Sequence, residues 1–225
     1  GTAVSGDARF VSAMLAGAFA GLSAERVEFW FFLFWWVHLL LVFGFMNYLP
    51  FSKHLHILSS IPNVFLAKLG ARGSLKALNL QDENATRFGA ADVEDFTWKQ
   101  LLDGYTCTEC GRCTAACPAA STGKPLSPRK IIVDLRRRLM EKAPLITPPA
   151  RPPAASPVGD AVLEKKLVDD YITEDELWAC TTCMACVQEC PVQIEHVDAI
   201  VDMRRYLVLN ESRFPKELQA TFQNL

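Results

Sequence analysis

The sequence predicts an all-α chain in which one membrane-crossing helix precedes a helical domain arranged around two copies of a single cysteine pattern. Three observations predict it. Residues 29–52 read FWFFLFWWVHLLLVFGFMNYLPFS and contain no Asp, Glu, Lys or Arg. The run C-x2-C-x2-C-x3-C-P occurs twice, as Cys107, Cys110, Cys113, Cys117 with Pro118 and as Cys180, Cys183, Cys186, Cys190 with Pro191, and it uses all eight cysteines. The segments around these runs carry helix-start residues and apolar stripes at helical spacing, with little of the alternation that marks strands.

Composition narrows the function classes. Half of the 225 residues are hydrophobic, mean hydropathy is positive and the formal net charge is -2. That balance excludes a disordered chain and supplies no basic excess for nucleic acid. The sequence opens on Gly1 without a basic leader, so no signal peptide is in view and a piece of a longer chain is expected. It shows no nucleotide fingerprint and no activated nucleophile.

Residues 1–60 are expected to form the membrane segment. The apolar stretch 10–22 covers only about 20 Å against a hydrocarbon core of about 30 Å, so it reads as an interfacial or loop helix or the tail of a truncated span. Residues 29–52 are long enough to cross, with Trp30, Trp35, Trp36 and Tyr48 as interfacial aromatics. Asp7, Glu25 and Glu28 precede this stretch. Lys53, Lys68, Arg72 and Lys76 follow it before the first acid, Asp82, which places the cysteines on the cytoplasmic side. On an unbroken helix, His38 and His56 would share one face about 27 Å apart, with His54 pointing away. An imidazole inside a membrane is usually functional, and neutral histidine is a haem ligand. A packing residue or a proton donor at a quinone site are the other readings, and Gly44 and Pro50 can bend the helix.

Residues 61–91, interrupted by Pro62, Gly70 and Gly73, are expected to be a surface connector that lays Phe65, Leu66 and Leu69 against lipid or protein. Residues 92–225 form the cluster domain. Asp92 is expected to cap a helix that ends at Gly104 and delivers Cys107. Ser127 at N-cap and Pro128 at N1 open the next helix. Ile131, Ile132, Leu135 and Leu139 form its apolar stripe, and Arg136, Arg137 and Arg138 lie outside as a solvated face or a headgroup anchor. The Pro-rich stretch 143–159 reads as a semi-rigid linker. Thr173 and Glu176 form a capping box, and residues 195–210 an amphipathic helix with His196 at its start as a surface or capping residue, tuning of a nearby cluster being the other reading.

The chemistry lies in the cysteines. This run is the bacterial pattern for 4Fe-4S clusters, in which the fourth cysteine ligates the other cluster when two are present. By that rule Cys107, Cys110, Cys113 and Cys190 hold one cluster, and Cys180, Cys183, Cys186 and Cys117 the other. Three sulfurs come from a tight turn, the fourth approaches from elsewhere, and the following proline turns the chain away. Small or polar residues between the ligands let backbone N–H groups approach. Each run is too crowded for one tetrahedral zinc, and disulfides need an oxidising compartment.

Two resemblances extend this reading. His38 together with LPFSKHLHI resembles the last membrane helix of nitrate reductase gamma-type cytochrome b subunits and of the membrane subunit of heterodisulfide reductase. That resemblance implies b haems on His38 and His56, whose second axial ligands this chain does not supply. The order helix, cysteine run, helix, linker, helix, cysteine run, helix resembles the alpha-helical ferredoxin domain. TECGRCTAACPA, TGKPLSPRKI and ESRFPKELQATFQNL, within residues 27–225, resemble the membrane-bound iron-sulfur reductases of a prokaryotic inner membrane that accept electrons from electron-transfer flavoprotein. The resemblance implies relay of electrons to a quinone and a CCG-type domain in the full-length protein or complex, where substrate-specific chemistry would lie. A heterodisulfide reductase-like or 2-hydroxyacid dehydrogenase-linked complex, and an anchor with structural clusters, are the rival readings.

Overall fold

A computed structural model describes residues 10–19, 21–52, 54–71, 73–81, 87–147 and 157–224. Asp7, Lys53, Arg72, Asp82 and residues 148–156 of the expected linker lie outside the described residues. The described residues are helical, with no strand and one isolated bridge between Val168 and Ile172. They divide into two compact units, Gly1–Lys53 and His54–Leu225.

In the first unit, α1 (Phe10–Phe19) is followed by α2 (Ala24–Tyr48), which a 3-10 turn, Leu49–Phe51, extends. The 28 residues Ala24–Phe51 are long and apolar enough to cross a membrane, and the most apolar window buries nothing within the protein. A helix that is apolar all round is at home only inside a large core or in lipid. The helix does not continue to His56. Pro50 forces the 3-10 turn, Ser52 is extended (φ -111°, ψ 169°), and α3 (Leu55–Phe65) begins anew. The single five-turn helix expected to align His38 with His56 is therefore absent.

The second unit begins with α3, whose apolar Ile61 and Phe65 face outward and whose Ser59 and Asn63 are buried. The connector expected from residue 61 thus starts as helix and is docked on the domain that follows. Asn63 Nδ2 donates to Asp103 Oδ1 and to the Val192 carbonyl, both at 2.9 Å, and Thr106 Oγ1 donates to the Ser59 carbonyl at 3.4 Å. Asp103 and Thr106 lie on α4 (Trp98–Thr106). The expected cap is displaced: Asp92 caps only the 3-10 turn Val93–Asp95, while Thr97 and Gln100 form the capping box of α4. Gly104 does not end α4. It is buried against the Arg136 backbone, so it serves close packing.

The remaining helices are α5 (Arg112–Ala115), α6 (Pro118–Ser121), α7 (Pro128–Ile146), α8 (Pro157–Glu164), α9 (Leu167–Asp170), α10 (Glu174–Trp178), α11 (Ala185–Gln188), α12 (His196–Glu211) and α13 (Lys216–Gln223). The caps read from sequence at Ser127 and at Thr173 with Glu176 are present. Ile131 and Leu135 of α7 meet Ile200, Met203 and Leu207 of α12 in the main core, with Leu167, Ile172 and Leu177. Gly89 (φ +79°) lies on α12, where a Cβ would fall 2.3 Å from the Tyr206 nitrogen; only glycine fits.

The three consecutive arginines of α7 do not share a face, because successive helical residues are about 100° apart. Arg137 is exposed, Arg136 half-buried, and Arg138 is 0% exposed. Arg138 Nε and Nη2 donate to Asp92 at 2.9 and 2.7 Å, Nη1 donates to the Val162 carbonyl, and Lys142 reaches the same carboxylate at 2.7 Å. Burial opposes the charge on Asp92, but Arg138 and Lys142 outweigh it and hold the carboxyl below its ordinary range. Removing one member of such a group strands the others. Asp92→Asn is expected to destabilise the fold by about 3–5 kcal/mol, read from denaturant unfolding followed by circular dichroism; a change under about 1 kcal/mol, within the range of exposed pairs, would show that Asp92 is not the buried counter-ion.

Candidate iron-sulfur site

The two cysteine runs are built alike. In the first, Cys107 is the C-cap of α4, its N–H bonded to the Asp103 carbonyl at 3.1 Å; Cys113 lies on α5 and Cys117 is the N-cap of α6, with Pro118 at N1. In the second, α10 leads into Cys180 and Cys186 lies on α11. Both loops place left-handed residues two and four positions after the first cysteine: Glu109 (φ 56°) and Gly111 (φ 81°), then Thr182 (φ 54°) and Met184 (φ 63°). For a residue with a Cβ this conformation costs about 1–2 kcal/mol, so both loops store strain to turn their backbone. The turn aims N–H groups at sulfur. Thr182 N donates to Cys180 Sγ and Ile194 N to Cys190 Sγ, each at 3.4 Å, and Glu109 N–H does the same for Cys107.

Packing of α5 against α11 brings the runs together. Cys107, Cys110 and Cys113 line one recess with Cys190 of the other run. Burial is the largest cause pushing up the Cys107, Cys113 and Cys190 thiols, and mutual repulsion within this set adds to it: Cys190 acts on Cys107 and Cys113, and Cys110 on Cys190. Burial is likewise the largest cause raising Cys180 and Cys186; Cys117 adds to it at Cys180, whereas at Cys186 the further causes are Cys180, then Cys113 of the first run, then Cys117. Among the described residues no three His, Cys, Asp or Glu side chains could hold a single metal ion, while four thiols line the one recess. That donor set fits a cubane, which takes four thiolates.

Burial pushes Cys107 up to about 11 and Cys186 up to about 12, so iron has to displace protons as it binds. Cys110 and Cys183 are exposed, whereas Cys107, Cys113, Cys117, Cys186 and Cys190 are buried. Each run therefore leaves one sulfur at the surface. The Cys110 thiol is lowered, chiefly by the Arg112 backbone N–H.

His196 departs from expectation. It is 1% exposed, bonded through Nδ1 to the Ile194 carbonyl at 3.0 Å, and it lines the recess with Cys190. Burial lowers its pKa to about 4, so it is a neutral, anchored wall residue. His38 is exposed on α2 and His56 lies in the first turn of α3. Sequence reasoning missed Arg136, which donates to the Cys107 carbonyl at 3.1 Å and pairs with Glu109, and Arg204, which donates to the Cys180 carbonyl. Their only sequence signal is position on helices that follow a cysteine run.

Residues 99–191 match the family described as the 4Fe-4S dicluster domain, a stretch that encloses all eight cysteines. The chain carries a 4Fe-4S dicluster domain. Two 4Fe-4S clusters are its cofactors. The chain is 38% identical to the probable iron-sulfur-binding oxidoreductase FadF of Bacillus subtilis, over 96% of this chain and 34% of that protein. It is 35% identical to the EtfAB:quinone oxidoreductase of Syntrophomonas wolfei, over 94% of this chain and 31% of that protein. With the probable membrane-anchored ferredoxin of Chromohalobacter salexigens it shares 41% identity, over 73% of this chain and 26% of that protein. The chain thus spans about a third or less of the length of these iron-sulfur relatives. No solved structure matches it.

If sulfurs that share a recess share a cluster, Cys190→Ser removes the cluster on Cys107, Cys110 and Cys113 and spares the one on its own run. Iron should fall from about eight to about four atoms per chain. Cluster loss should then follow Cys107→Ser in its spectral identity; a match with Cys180→Ser instead would reverse the assignment.

Proposed function

We propose that this chain is the membrane-anchored electron-transfer unit of a larger oxidoreductase. It relays single electrons between a soluble flavoprotein, electron-transfer flavoprotein by resemblance and by the name of one relative, and a membrane quinone. The observation that supports the reading is the recess lined by Cys107, Cys110, Cys113 and Cys190, and Cys180, Cys183, Cys186 and Cys117 are taken as the second set. We assign these as the ligands of the two clusters. In this reading a helix of membrane-spanning length fixes the unit to a prokaryotic inner membrane, with the cluster domain on the cytoplasmic side.

The clusters supply one-electron chemistry when bound. The chain's own residues do the rest. Buried Cys107, Cys113, Cys186 and Cys190 keep water from most of each site, backbone N–H groups of Glu109, Thr182 and Ile194 stabilise charge on sulfur, and exposed Cys110 and Cys183 bring each cluster's edge to the surface. The recess holds a neutral, buried histidine, so no proton carrier with an ordinary pKa is on the path at His196.

The finer membrane half assigns b haems to His38 and His56, on separate helices, with the second axial ligands drawn from outside this chain. By resemblance, substrate-specific chemistry is assigned to a CCG-type domain of the full-length protein or complex. An optical and EPR spectrum of the dithionite-reduced intact protein tests the whole: two cubane signals with paired b-type bands are expected, and cubanes without haem would remove the membrane half. His38→Ala and His56→Ala should each abolish one haem with cluster iron unchanged; loss of neither would refute those ligands.

A further inference from the structure

Arg204 lies on α12 with its guanidinium over the Trp178 ring, 4.9 Å from the ring centre. Its Nε and Nη2 donate to the Leu177 carbonyl at 2.9 and 2.6 Å, and Nη2 also donates to the Cys180 carbonyl. The side chain is only partly exposed, and the one charged group that acts on it is Cys180. It makes no ion pair among the described residues. Its counterpart at the other run is Arg136, which likewise grips the carbonyl of the first cysteine, but Arg136 is paired with Glu109.

An arginine stays protonated in proteins, and a partly buried cation without an anion is unfavourable. Carbonyl oxygens and an aromatic face satisfy its N–H groups and hold its plane, but they carry no net charge. The anion on this side is the thiolate set of Cys180, Cys183, Cys186 and Cys117. The same corner contains an unsatisfied donor, the buried Trp178 indole N–H, which has no acceptor among the described residues.

We propose that Arg204 is the counter-charge of the cluster on Cys180, Cys183, Cys186 and Cys117, and that it sets that cluster's reduction potential. This rests on the two-cluster reading above. One electron joins the cluster, no bond forms or breaks, and Arg204 keeps its proton; the added negative charge is more favourable beside an uncompensated guanidinium. Arg136, neutralised by Glu109, exerts the weaker pull on its own cluster. Arg204 is a positioning residue: it touches the ligand loop and acts through charge.

The test is a mediated redox titration of the full-length protein, with dithionite as reductant and EPR as readout, the two signals assigned from the Cys190→Ser variant. Arg204→Gln should shift the reduced-to-oxidised ratio of the second cluster at least tenfold toward oxidised at a fixed potential, about 59 mV for a one-electron couple. The first cluster should stay in place, and Arg204→Lys should recover most of the shift. Arg136→Gln should move the first cluster less. Unchanged midpoints in Arg204→Gln, or a lysine variant no better than glutamine, would overturn the proposal. Should Arg204→Gln lose the cluster, Arg204→Lys decides: retention near the native midpoint supports the charge, and loss marks a structural clamp and overturns it. Fewer than two cubanes in the unsubstituted protein would instead sink the two-cluster reading.

Discussion

A cubane needs four thiolates from different directions, and a short loop presents only three of them. In the recess of Cys107, Cys110 and Cys113 the fourth sulfur comes from Cys190, far along the chain, and the helical unit is built around that approach. The pairing of α5 with α11, the meeting of α7 and α12 in one core, and the close seat of Gly89 on α12 all serve to hold two loops face to face. Left-handed backbone at Glu109, Thr182 and Met184 is the local strain that this arrangement accepts, because it turns N–H groups onto sulfur.

The unit is held by charge as well as by apolar packing. Arg138 and Lys142 converge on Asp92, and Lys99, Asn63 and the Glu195 N–H on Asp103. The second group ties three parts of the chain together, since Asn63 belongs to α3 and also bonds the Val192 carbonyl just beyond Cys190. The helix that opens this unit is thereby fastened to the loop of a ligand. Burial pushes the Asp103 carboxyl above its ordinary range, with Lys99 and Asn63 opposing, which marks it as a structural acceptor held by several donors.

What could be read from the sequence was what local chemistry decides. Cysteine spacing, the cap at Ser127, the Thr173–Glu176 box and the uninterrupted apolar run each depend on residues within one turn or one span. What escaped depends on partners far along the chain. Arg138 looked like its exposed neighbour Arg137 because nothing nearby reveals Asp92, forty-six positions upstream. His196 looked like a cap because the walls that bury it come from the other cysteine run. Gly104 looked like a stop, although the residue packed on it lies in α7. The unbroken helix expected from His38 to His56 is absent for a local reason: the regular helix ends at Pro50, before the second histidine is reached.

The bare sulfurs of Cys110 and Cys183 have a further consequence. A surface edge that admits an electron also admits dioxygen and peroxide, which attack accessible thiolates before shielded ones. Oxidation of the unit before its clusters are loaded is therefore expected first at Cys110 and Cys183, ahead of the buried cysteines.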